Sequence, residues 1–353
     1  MAHKINILFT IPNFKTAGSQ FVLLGLYNAL DRELFQPYVL VEKFPEIFPK
    51  DIKENERLHV TEDVGSRSYI AKLSRLLKSK KIDILHSWDY KSNAIEALAC
   101  RKAGVPYVYT KKNNAWSKRW FMKSVLASHV AYNNPEMQAR FFDNLWLRRK
   151  VTFIAHGLNP SVFDPQESKT EKNKVTIGCI GVLGPNKNQL FLLKALSRLP
   201  SNFQVFLYGK EDEAYRAELD AYVSKNQMSE RVFFKGYIAN HQIPDAMATF
   251  NIAVLPSIQE GLPLSIMEAM ACGVPILSSD SGGGARYLLE DVNKECIFKL
   301  DDPSQLVQQL EAIATNAALQ EQLKTYGLKR IREDFSIEKE VGRYTRLYQK
   351  LIS

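Results

Sequence analysis

Two glutamates, Glu260 and Glu268, are separated by seven residues in a segment where strand and helix patterns alternate. An apolar run at 252–255 predicts a buried strand, and a helix-period segment carrying Glu268 follows the loop that holds Glu260. Lys187 lies in a comparable loop, after another apolar run and before a predicted helix. The first turn of a helix offers unpaired N–H groups and a partial positive charge, which suits a diphosphate.

The two carboxylates indicate what else such a site would bind. A carboxylate beside a phosphate is unfavourable by Coulomb's law. It belongs there only where it accepts hydrogen bonds from hydroxyl groups, such as those of a ribose or a hexose. Lys187 supplies an ammonium that can neutralise a diphosphate. The three residues are compatible with a sugar linked to a nucleoside diphosphate, but taken alone they indicate no more than two solvated acids and a solvated lysine.

Length and composition are those of a globular protein. The chain has 353 residues, of which 45% are hydrophobic and 24% charged, so we expect two domains. Its four cysteines are scattered without a Cys-x-x-Cys pair, which is typical of buried thiols in a reducing compartment. The first apolar run is too short for a secretory signal, and no run approaches about 18 apolar residues. We therefore expect a cytoplasmic protein.

The net charge of +9 narrows the class of partner. A basic surplus can serve nucleic acid, an anionic membrane surface or a phosphorylated ligand. The sequence has no helix-turn-helix, zinc-finger or RNP-type pattern, so we expect no nucleic-acid partner. The acidic run 211–213 lacks apolar flanks and favours a solvated loop. We therefore expect no metal cofactor.

Strand and helix patterns alternate in both halves of the chain, which predicts an α/β protein with two doubly wound parallel sheets. The predicted strands are 4–12, 37–41, 83–86, 107–110 and 151–155, then 175–182, 204–208, 232–234, 252–255 and 276–278. The predicted helices are 19–30, 69–79, 93–103 and 135–143, then 189–199, 214–225, the segment around Glu268, and 337–352. A segment rich in Pro, Gly and polar residues at 156–174 separates the halves.

The longer string from Glu260 to Pro275, EGLPLSIMEAMACGVP, resembles the retaining glycosyltransferases of family 4, which have the GT-B architecture. The likeness extends over nearly the whole chain. Its other landmarks are the loop 16–20 with Gly18, the strand ending at His86, the string 153–165, the segment 178–187, and the segments ending at Gly209 and Gly236. The resemblance implies two Rossmann-like domains facing an interdomain cleft. Residues 1–160 would form the acceptor side, 161–336 would bind the nucleotide sugar, and the helix 337–353 would cross back to the first domain.

The resemblance also implies a reaction. A hexosyl group would move from a nucleoside diphosphate sugar to an acceptor hydroxyl with retention, in bacterial cell-surface polysaccharide or lipid-linked glycan synthesis. The implied catalytic residues are Glu260, Lys187 and Lys112, and the implied donor-binding residues are Gly18, Gly209, Tyr237, Gly261, Leu262, Pro263, Leu264, Ser265 and Glu268. No metal would be needed, and a UDP-sugar ranks before GDP-mannose as the donor. The acceptor would be a glycan or a lipid-linked glycan.

The chain departs from the family pattern at three places. Val182 stands where the family often has an arginine that holds the diphosphate, and the candidates for the missing charge are Ser66, Arg67, Lys111 and Lys112. Lys112 stands where the family often has a histidine, in a basic, amide-rich loop with Asn113 that suits a phosphorylated acceptor. Residues 285–287 replace the acid that usually follows the glycine pair.

The segment 114–123 interleaves aromatic and basic residues, among them Trp116, Lys118, Arg119 and Trp120. Such a helix suits an anionic bilayer surface, where each basic residue contributes about 1 kcal/mol. With His86, Lys111 and Asn113 it makes up the predicted acceptor or membrane side, and it would attach the protein to the inner face of the cell membrane. The alternative is that the aromatic side chains are buried and the basic ones merely solvated.

Other classes of protein share this architecture. A sugar-nucleotide epimerase would need an acid/base pair that the sequence does not reveal. A periplasmic solute-binding protein would carry a signal peptide. A catalytically inactive nucleotide-sugar sensor stays open, because Val182 and Lys112 both depart from the family pattern.

Overall fold

The computed structural model of the chain describes residues 4–14, 18–42, 47–60, 66–89, 91–159 and 161–353. It divides into two compact units. The first unit comprises residues 1–157 together with 337–353, and the second comprises residues 158–336.

The first unit is built on a parallel sheet. Its strands are β1 (Ile5–Ile11), β2 (Phe35–Val41), β3 (Arg57–His59), β4 (Ile84–Ser87), β5 (Tyr107–Lys111), β6 (His129–Tyr132) and β7 (Val151–Phe153). Four helices connect them: α1 (Gly18–Ala29), α2 (Arg67–Ser79), α3 (Ile95–Ala103) and α4 (Lys118–Leu126). The strand order is β3-β2-β1-β4-β5-β6-β7. The order therefore reverses direction between β1 and β4.

The second unit repeats this plan. Its strands are β8 (Val175–Ile180), β9 (Phe203–Tyr208), β10 (Val232–Gly236), β11 (Ile252–Leu255), β12 (Ile276–Ser279) and β13 (Ile297–Phe298), all parallel in the order β10-β9-β8-β11-β12-β13. The helices are α5 (Gln189–Leu196), α6 (Glu213–Lys225), α7 (Ile243–Met247), α8 (Leu264–Ala271), α9 (Gly284–Leu288), α10 (Asn293–Cys296), α11 (Ser304–Thr315) and α12 (Ala317–Asp334). Here the reversal falls between β8 and β11.

The central strands are largely apolar because helices cover both faces of a parallel sheet. Ile7, Leu8 and Phe9 of β1 are fully buried, and β11 is buried at every position. The predicted α/β class with two doubly wound parallel sheets is confirmed.

The last helix, α13 (Ile337–Ile352), belongs to the first unit and packs against α1. Its inward face carries Tyr344 and Tyr348, which are fully buried. The hydroxyl of Tyr344 lies 2.9 Å from the Thr110 hydroxyl, so this helix is tied to the end of β5 by polar as well as apolar contacts.

Some elements lack a sequence pattern of their own. The strands β3, β6 and β13 have two to four residues, which is too few to show a hydrophobic period. Hydrogen bonds to the neighbouring strands stabilise them. The predicted helix 135–143 is helical at 136–142, where a short α-helical start passes into a π-helical turn at Gln138–Phe142. The helices α11 and α12 were not predicted. Among the described residues, no helix combines the length and apolar character needed to cross a bilayer.

Candidate active site

Three loops meet at the carboxyl edge of the second sheet. They follow β8 (residues 181–188), β11 (256–263) and β12 (280–283). The first two flank the point where the strand order reverses. Helices leave a crevice at such a point, which is where doubly wound sheets bind their ligands.

Backbone hydrogen bonds fasten these loops to one another. The Ile258 amide donates to the Asn186 carbonyl at 2.8 Å, and the Asn186 side chain returns a bond to the Gln259 carbonyl at 3.1 Å. The Glu260 amide donates to the Ser281 carbonyl at 2.8 Å. The loop that carries Glu260 is therefore held on both sides.

Two glycines allow the loops to approach so closely. A Cβ on Gly284 would lie 1.8 Å from the Gly261 carbonyl oxygen. A Cβ on Gly209, whose φ of +151° already disfavours other residues, would lie 1.9 Å from the Gly181 carbonyl oxygen. The Gly-Gly-Gly run 282–284 was a visible signal for the first contact, but a sequence does not show which backbone it meets.

Lys187 and Glu260 form an ion pair across these loops, with Nζ and Oε1 2.7 Å apart. The Lys187 side chain is 26% exposed and the Glu260 side chain 15%. Both charged groups are thus partly shielded from water yet open to a ligand. The two residues are 73 positions apart in the sequence.

Glu268 completes the cluster from α8. It is only 7% exposed, and burial raises the pKa of its carboxyl to about 7, while the nearby Lys187 ammonium acts in the opposite direction. The structure therefore brings together the three charged residues that the sequence singled out in this half of the chain.

The first turn of α8 borders the same loops. Pro263 precedes the helix and cannot cap it with its side chain, so the first-turn amides of α8 depend on other acceptors. Leu262 is buried beneath this turn, whereas Gly261, Leu264 and Ser265 are half-buried.

Gly209 and Tyr237 lie at the carboxyl ends of β9 and β10. The Gly209 amide donates to the Gly236 carbonyl at 2.8 Å, and the Tyr237 ring is half exposed. The Lys210 ammonium lies 5.4 Å from the centre of that ring. Sequence reasoning missed Lys210, which adds a cation at the same edge of the sheet.

His86 does not have the exposure that a role on the acceptor side requires. It is fully buried, with Nδ1 2.7 Å from the Tyr348 hydroxyl and Nε2 2.8 Å from the Thr110 hydroxyl. Burial lowers the pKa of its imidazole to about 3, so it is neutral. The prediction for His86 is therefore wrong, and the residue joins β4 and β5 to α13.

Lys111 is also unsuited to contact a substrate. It is fully buried, its ammonium lies 3.9 Å from the centre of the Trp120 ring, and it donates to the Asn113 carbonyl at 2.6 Å. Burial, aided by the neighbouring Lys123, lowers its pKa to about 7. The prediction that Lys111 serves the acceptor or replaces the missing arginine is wrong, because its contacts are internal. Asn113 is half-buried and contributes to them.

Lys112 lies at the carboxyl edge of the first sheet. Its ammonium donates to the Trp88 carbonyl at 2.7 Å, and burial lowers its pKa to about 7 although the Asp89 carboxylate acts in the opposite direction. Beside it, Thr10 Oγ1, Trp88 Nε1 and Asp89 Oδ1 are buried without a hydrogen-bond partner among the described residues. Unsatisfied polar atoms at a strand-order reversal are typical of a ligand site.

The predicted membrane-facing aromatic residues lie inside the first unit. Trp120 is 5% exposed and belongs to the core, and Trp116 stacks on Phe141 at 4.9 Å. That part of the prediction is wrong, since the inner face of α4 meets the sheet. Lys118 and Arg119 are exposed on the outer face.

The remaining predicted residues are placed as follows. Gly18 begins α1, while Thr16, Ala17 and the Arg67 side chain lie outside the described residues. Ser66 accepts the Tyr69 amide as the cap of α2, Val182 is half exposed, and Arg286 pairs with Asp280. Within the described ranges, no group of three or more His, Cys, Asp or Glu side chains is placed to hold a metal ion.

Comparison with known families gives two matches along the chain. Residues 16–162 match the family described as Glycosyltransferase Family 4, and residues 162–330 match Glycosyl transferases group 1. The chain belongs to the family-4 glycosyltransferases. The family identified from the sequence is thereby confirmed, and the protein is a transferase enzyme.

Named relatives of this glycosyltransferase support the family assignment. The UDP-Gal:alpha-D-GlcNAc-diphosphoundecaprenol alpha-1,3-galactosyltransferase of Escherichia coli is 24% identical over 79% of the chain and 78% of its own length. The lipopolysaccharide core biosynthesis mannosyltransferase LpsB of Rhizobium meliloti is 28% identical over 57% of the chain and 61% of its own length. Among solved structures, Anabaena HepE in complex with UDP and glucose has a TM-score of 0.82 at 19% identity, covering 98% of this chain and 99% of that one. The transferase therefore has the GT-B fold.

Proposed function

We propose that this enzyme moves a hexosyl group from a nucleoside diphosphate sugar to an acceptor hydroxyl with retention at the anomeric carbon. The observation that carries the proposal is the Lys187–Glu260 pair, with Glu268 beside it, at the strand-order reversal of the second sheet. A UDP-sugar ranks first as donor, because the E. coli relative is named for UDP-Gal and HepE was solved with UDP and glucose.

Each group has a part in holding the donor. Glu268 accepts hydrogen bonds from the ribose hydroxyls, and Glu260 accepts them from hydroxyls of the transferred sugar. Lys187 and the backbone N–H groups of residues 261–265, except Pro263, which has none, hold the diphosphate and stabilise the charge that develops on it as it departs. Gly209 and the half-exposed Tyr237 border the base. A preorganised ammonium then supplies the charge stabilisation that other transferases obtain from a metal ion.

The proposed step needs no covalent intermediate. The bond between the anomeric carbon and the diphosphate oxygen breaks, and the acceptor oxygen forms its bond to that carbon on the same face. The acceptor proton passes to the departing diphosphate oxygen. Glu260 contacts the sugar away from the breaking bond, so its part is to orient the reacting centres.

We infer that the acceptor meets the carboxyl edge of the first sheet, where Lys112 adjoins buried Thr10, Trp88 and Asp89 atoms that have no hydrogen-bond partner among the described residues. An ammonium there suits a phosphorylated acceptor. The E. coli relative is named for a diphosphate-linked lipid, which supports a lipid-linked glycan in cell-surface polysaccharide synthesis.

A donor screen tests the enzymatic proposal. Purified protein is exposed to UDP-, GDP- and ADP-sugars in EDTA, and both thermal stabilisation and release of nucleoside diphosphate are measured. We expect one base to raise the melting temperature and its sugars to be hydrolysed slowly to water. Tight binding without any turnover would instead indicate an inactive sensor, and interconversion of sugars an epimerase. A strict need for magnesium would contradict the role given to Lys187.

We further propose that the first unit docks on an anionic lipid bilayer, through a surface that differs from the one predicted. The outer face of α4 exposes Phe121, Met122 and Val125. In the turn that follows the π-helical segment, Leu145 is 70% and Trp146 80% exposed. We call this set the α4–turn surface.

Hydrogen bonds join the two parts of the α4–turn surface. Lys150, which ends the turn, donates to the Val125 carbonyl at 2.6 Å. The Asn144 side chain accepts the Trp146 and Leu147 amides at 3.2 and 3.0 Å, and Leu147 is buried. The turn therefore presents its apolar side chains outwards instead of packing them.

Charge complementarity favours an anionic bilayer as the occupant. Exposed basic residues adjoin both parts of this surface along the chain, Lys118 and Arg119 on α4 and Arg148 and Arg149 after the turn, and they outnumber the exposed acids Glu136 and Asp143. Each basic residue near an anionic leaflet contributes about 1 kcal/mol, and the apolar side chains enter the headgroup region.

Vesicle co-sedimentation tests this surface. The unaltered protein should pellet with phosphatidylglycerol vesicles and much less with phosphatidylcholine vesicles. Replacing Leu145 and Trp146 with serine should lower the anionic-vesicle affinity at least fivefold, whereas Leu34→Ser, at an exposed apolar residue outside this set, should not. Equal pelleting with both lipids, or no effect of the double substitution, would contradict the proposal.

A further inference from the structure

The ion pair between Lys187 and Glu260 occupies two groups that the donor would need. Lys187 would have to contact the diphosphate and Glu260 the sugar hydroxyls, yet here they bind each other at 2.7 Å. Donor binding must therefore exchange this internal pair for two contacts with the ligand. A nucleoside diphosphate that has lost its sugar offers only the diphosphate contact to Lys187.

We propose that Glu260 also discriminates between the nucleotide sugar and the nucleoside diphosphate that remains after transfer. When no sugar contacts Glu260, its carboxylate competes with the diphosphate for the Lys187 ammonium. This inference rests on the proposed function. With a sugar present, hydroxyl groups replace the ammonium as partners of Glu260. Once the sugar has been transferred, Glu260 pairs with Lys187 again and lowers the affinity for the nucleoside diphosphate product.

The surroundings of Glu260 make this competition unavoidable. Its backbone is fixed by the bond to the Ser281 carbonyl, and its loop is fixed by Asn186. The backbone of Lys187 is likewise held, through its amide bond to the Gly184 carbonyl at 2.9 Å. Both backbones are thus held at the site by hydrogen bonds, so the exchange proposed here is one of side-chain partners.

Electrostatics favours the same outcome. A diphosphate that draws Lys187 away leaves the Glu260 carboxylate, 15% exposed, facing another anion. Sugar hydroxyls compensate a carboxylate through hydrogen bonds, and a bare nucleoside diphosphate does not. The Lys187–Glu260 pair is less exposed than a surface ion pair and more exposed than a buried one. We therefore expect its interaction free energy to lie between the values typical of surface and buried ion pairs.

Calorimetric titration with UDP and GDP tests the inference. Glu260→Gln keeps the shape of the side chain and removes its charge, so the better-binding nucleoside diphosphate should bind about three- to tenfold more tightly to this variant. The corresponding nucleotide sugar should not share that gain, because an amide accepts hydroxyl hydrogen bonds less well than a carboxylate does. The preference for the sugar-linked form should therefore fall by a similar or larger factor.

A control separates local competition from the general effect of losing one negative charge. Asp245 pairs with Lys169 at 2.8 Å on the exposed surface of the same unit, so Asp245→Asn makes the same charge change elsewhere. We expect its affinity for UDP and GDP to equal that of the unaltered protein. An equal gain in nucleoside diphosphate affinity in both variants would overturn the inference.

The remaining outcomes distinguish this inference from the proposed function. If Glu260→Gln binds the nucleoside diphosphate no more tightly than the unaltered protein, the competition is refuted. Loss of binding in Lys187→Ala would then still support the donor site. If neither UDP nor GDP binds the unaltered protein, the proposed donor class fails, and the inference fails with it.

Discussion

Lys187→Ala should lower the rate of sugar transfer by about 10²–10³-fold, the loss typical of removing one preorganised group from a developing negative charge. The ammonium lies at the strand-order reversal beside the first turn of α8, where the departing diphosphate is proposed to sit. Glu260→Gln should also cost orders of magnitude, since the sugar loses its orienting partner. Steady-state kinetics with the donor identified by the screen measures both.

Two controls make this result specific. Lys187→Met keeps the aliphatic stem that lies against Gly181, so an equal loss would assign the effect to the charge and not to packing. Lys210→Ala removes an exposed cation at the same edge and should cost less than tenfold. The melting temperatures of all variants should remain near that of the unaltered enzyme. Turnover near normal in either Lys187→Ala or Glu260→Gln would refute the assigned roles.

Glu268→Gln should make the protein more stable at neutral pH while weakening nucleotide binding. The buried carboxyl has its pKa raised to about 7 from an ordinary value of 4.5. Between these values the unfolded chain loses the proton and the folded chain keeps it, so the free energy of unfolding falls as pH rises. The loss is complete above about pH 7 and amounts to at most about 3 kcal/mol.

Thermal unfolding across pH measures this effect. The glutamine variant should match the unaltered protein near pH 4 and melt several degrees higher at pH 8. Stabilisation by UDP or GDP should be reduced in the variant, because the ribose loses a charged acceptor. The matched control is Glu311→Gln, at an exposed site on α11, which should change neither property. A variant that is less stable than the parent at pH 8 would contradict the assignment.

The sequence anticipated the second unit better than the first. Apolar runs such as 252–255, and the helix around Glu268, are set by local periodicity, and the loops between them follow from glycine and proline. Predicted and observed bounds of these strands agree within a few residues. The charged residues Lys187, Glu260 and Glu268 were singled out because the segments that carry them resemble those of the family.

The basic and aromatic segment 111–123 shows where local patterns fail. Apolar side chains occupy both faces of α4, so periodicity does not decide which face turns inward. Contact with the sheet buries Trp120 and even Lys123, whose ammonium donates to the Lys91 carbonyl at 2.8 Å. Phe121 and Met122 are left outside as a result.

The sequence by itself determined the longer strands and most of the helices between them and the family, and it singled out the three charged residues proposed for the donor site, because each of these signals lies within a short segment of the chain. The tertiary structure alone decided that Lys187 and Glu260 pair across 73 residues, that His86 is enclosed by α13, and that Gly284 lies against Gly261. Those contacts join segments distant in the chain, and their free energy depends on distances that only the folded sheet and its loops establish.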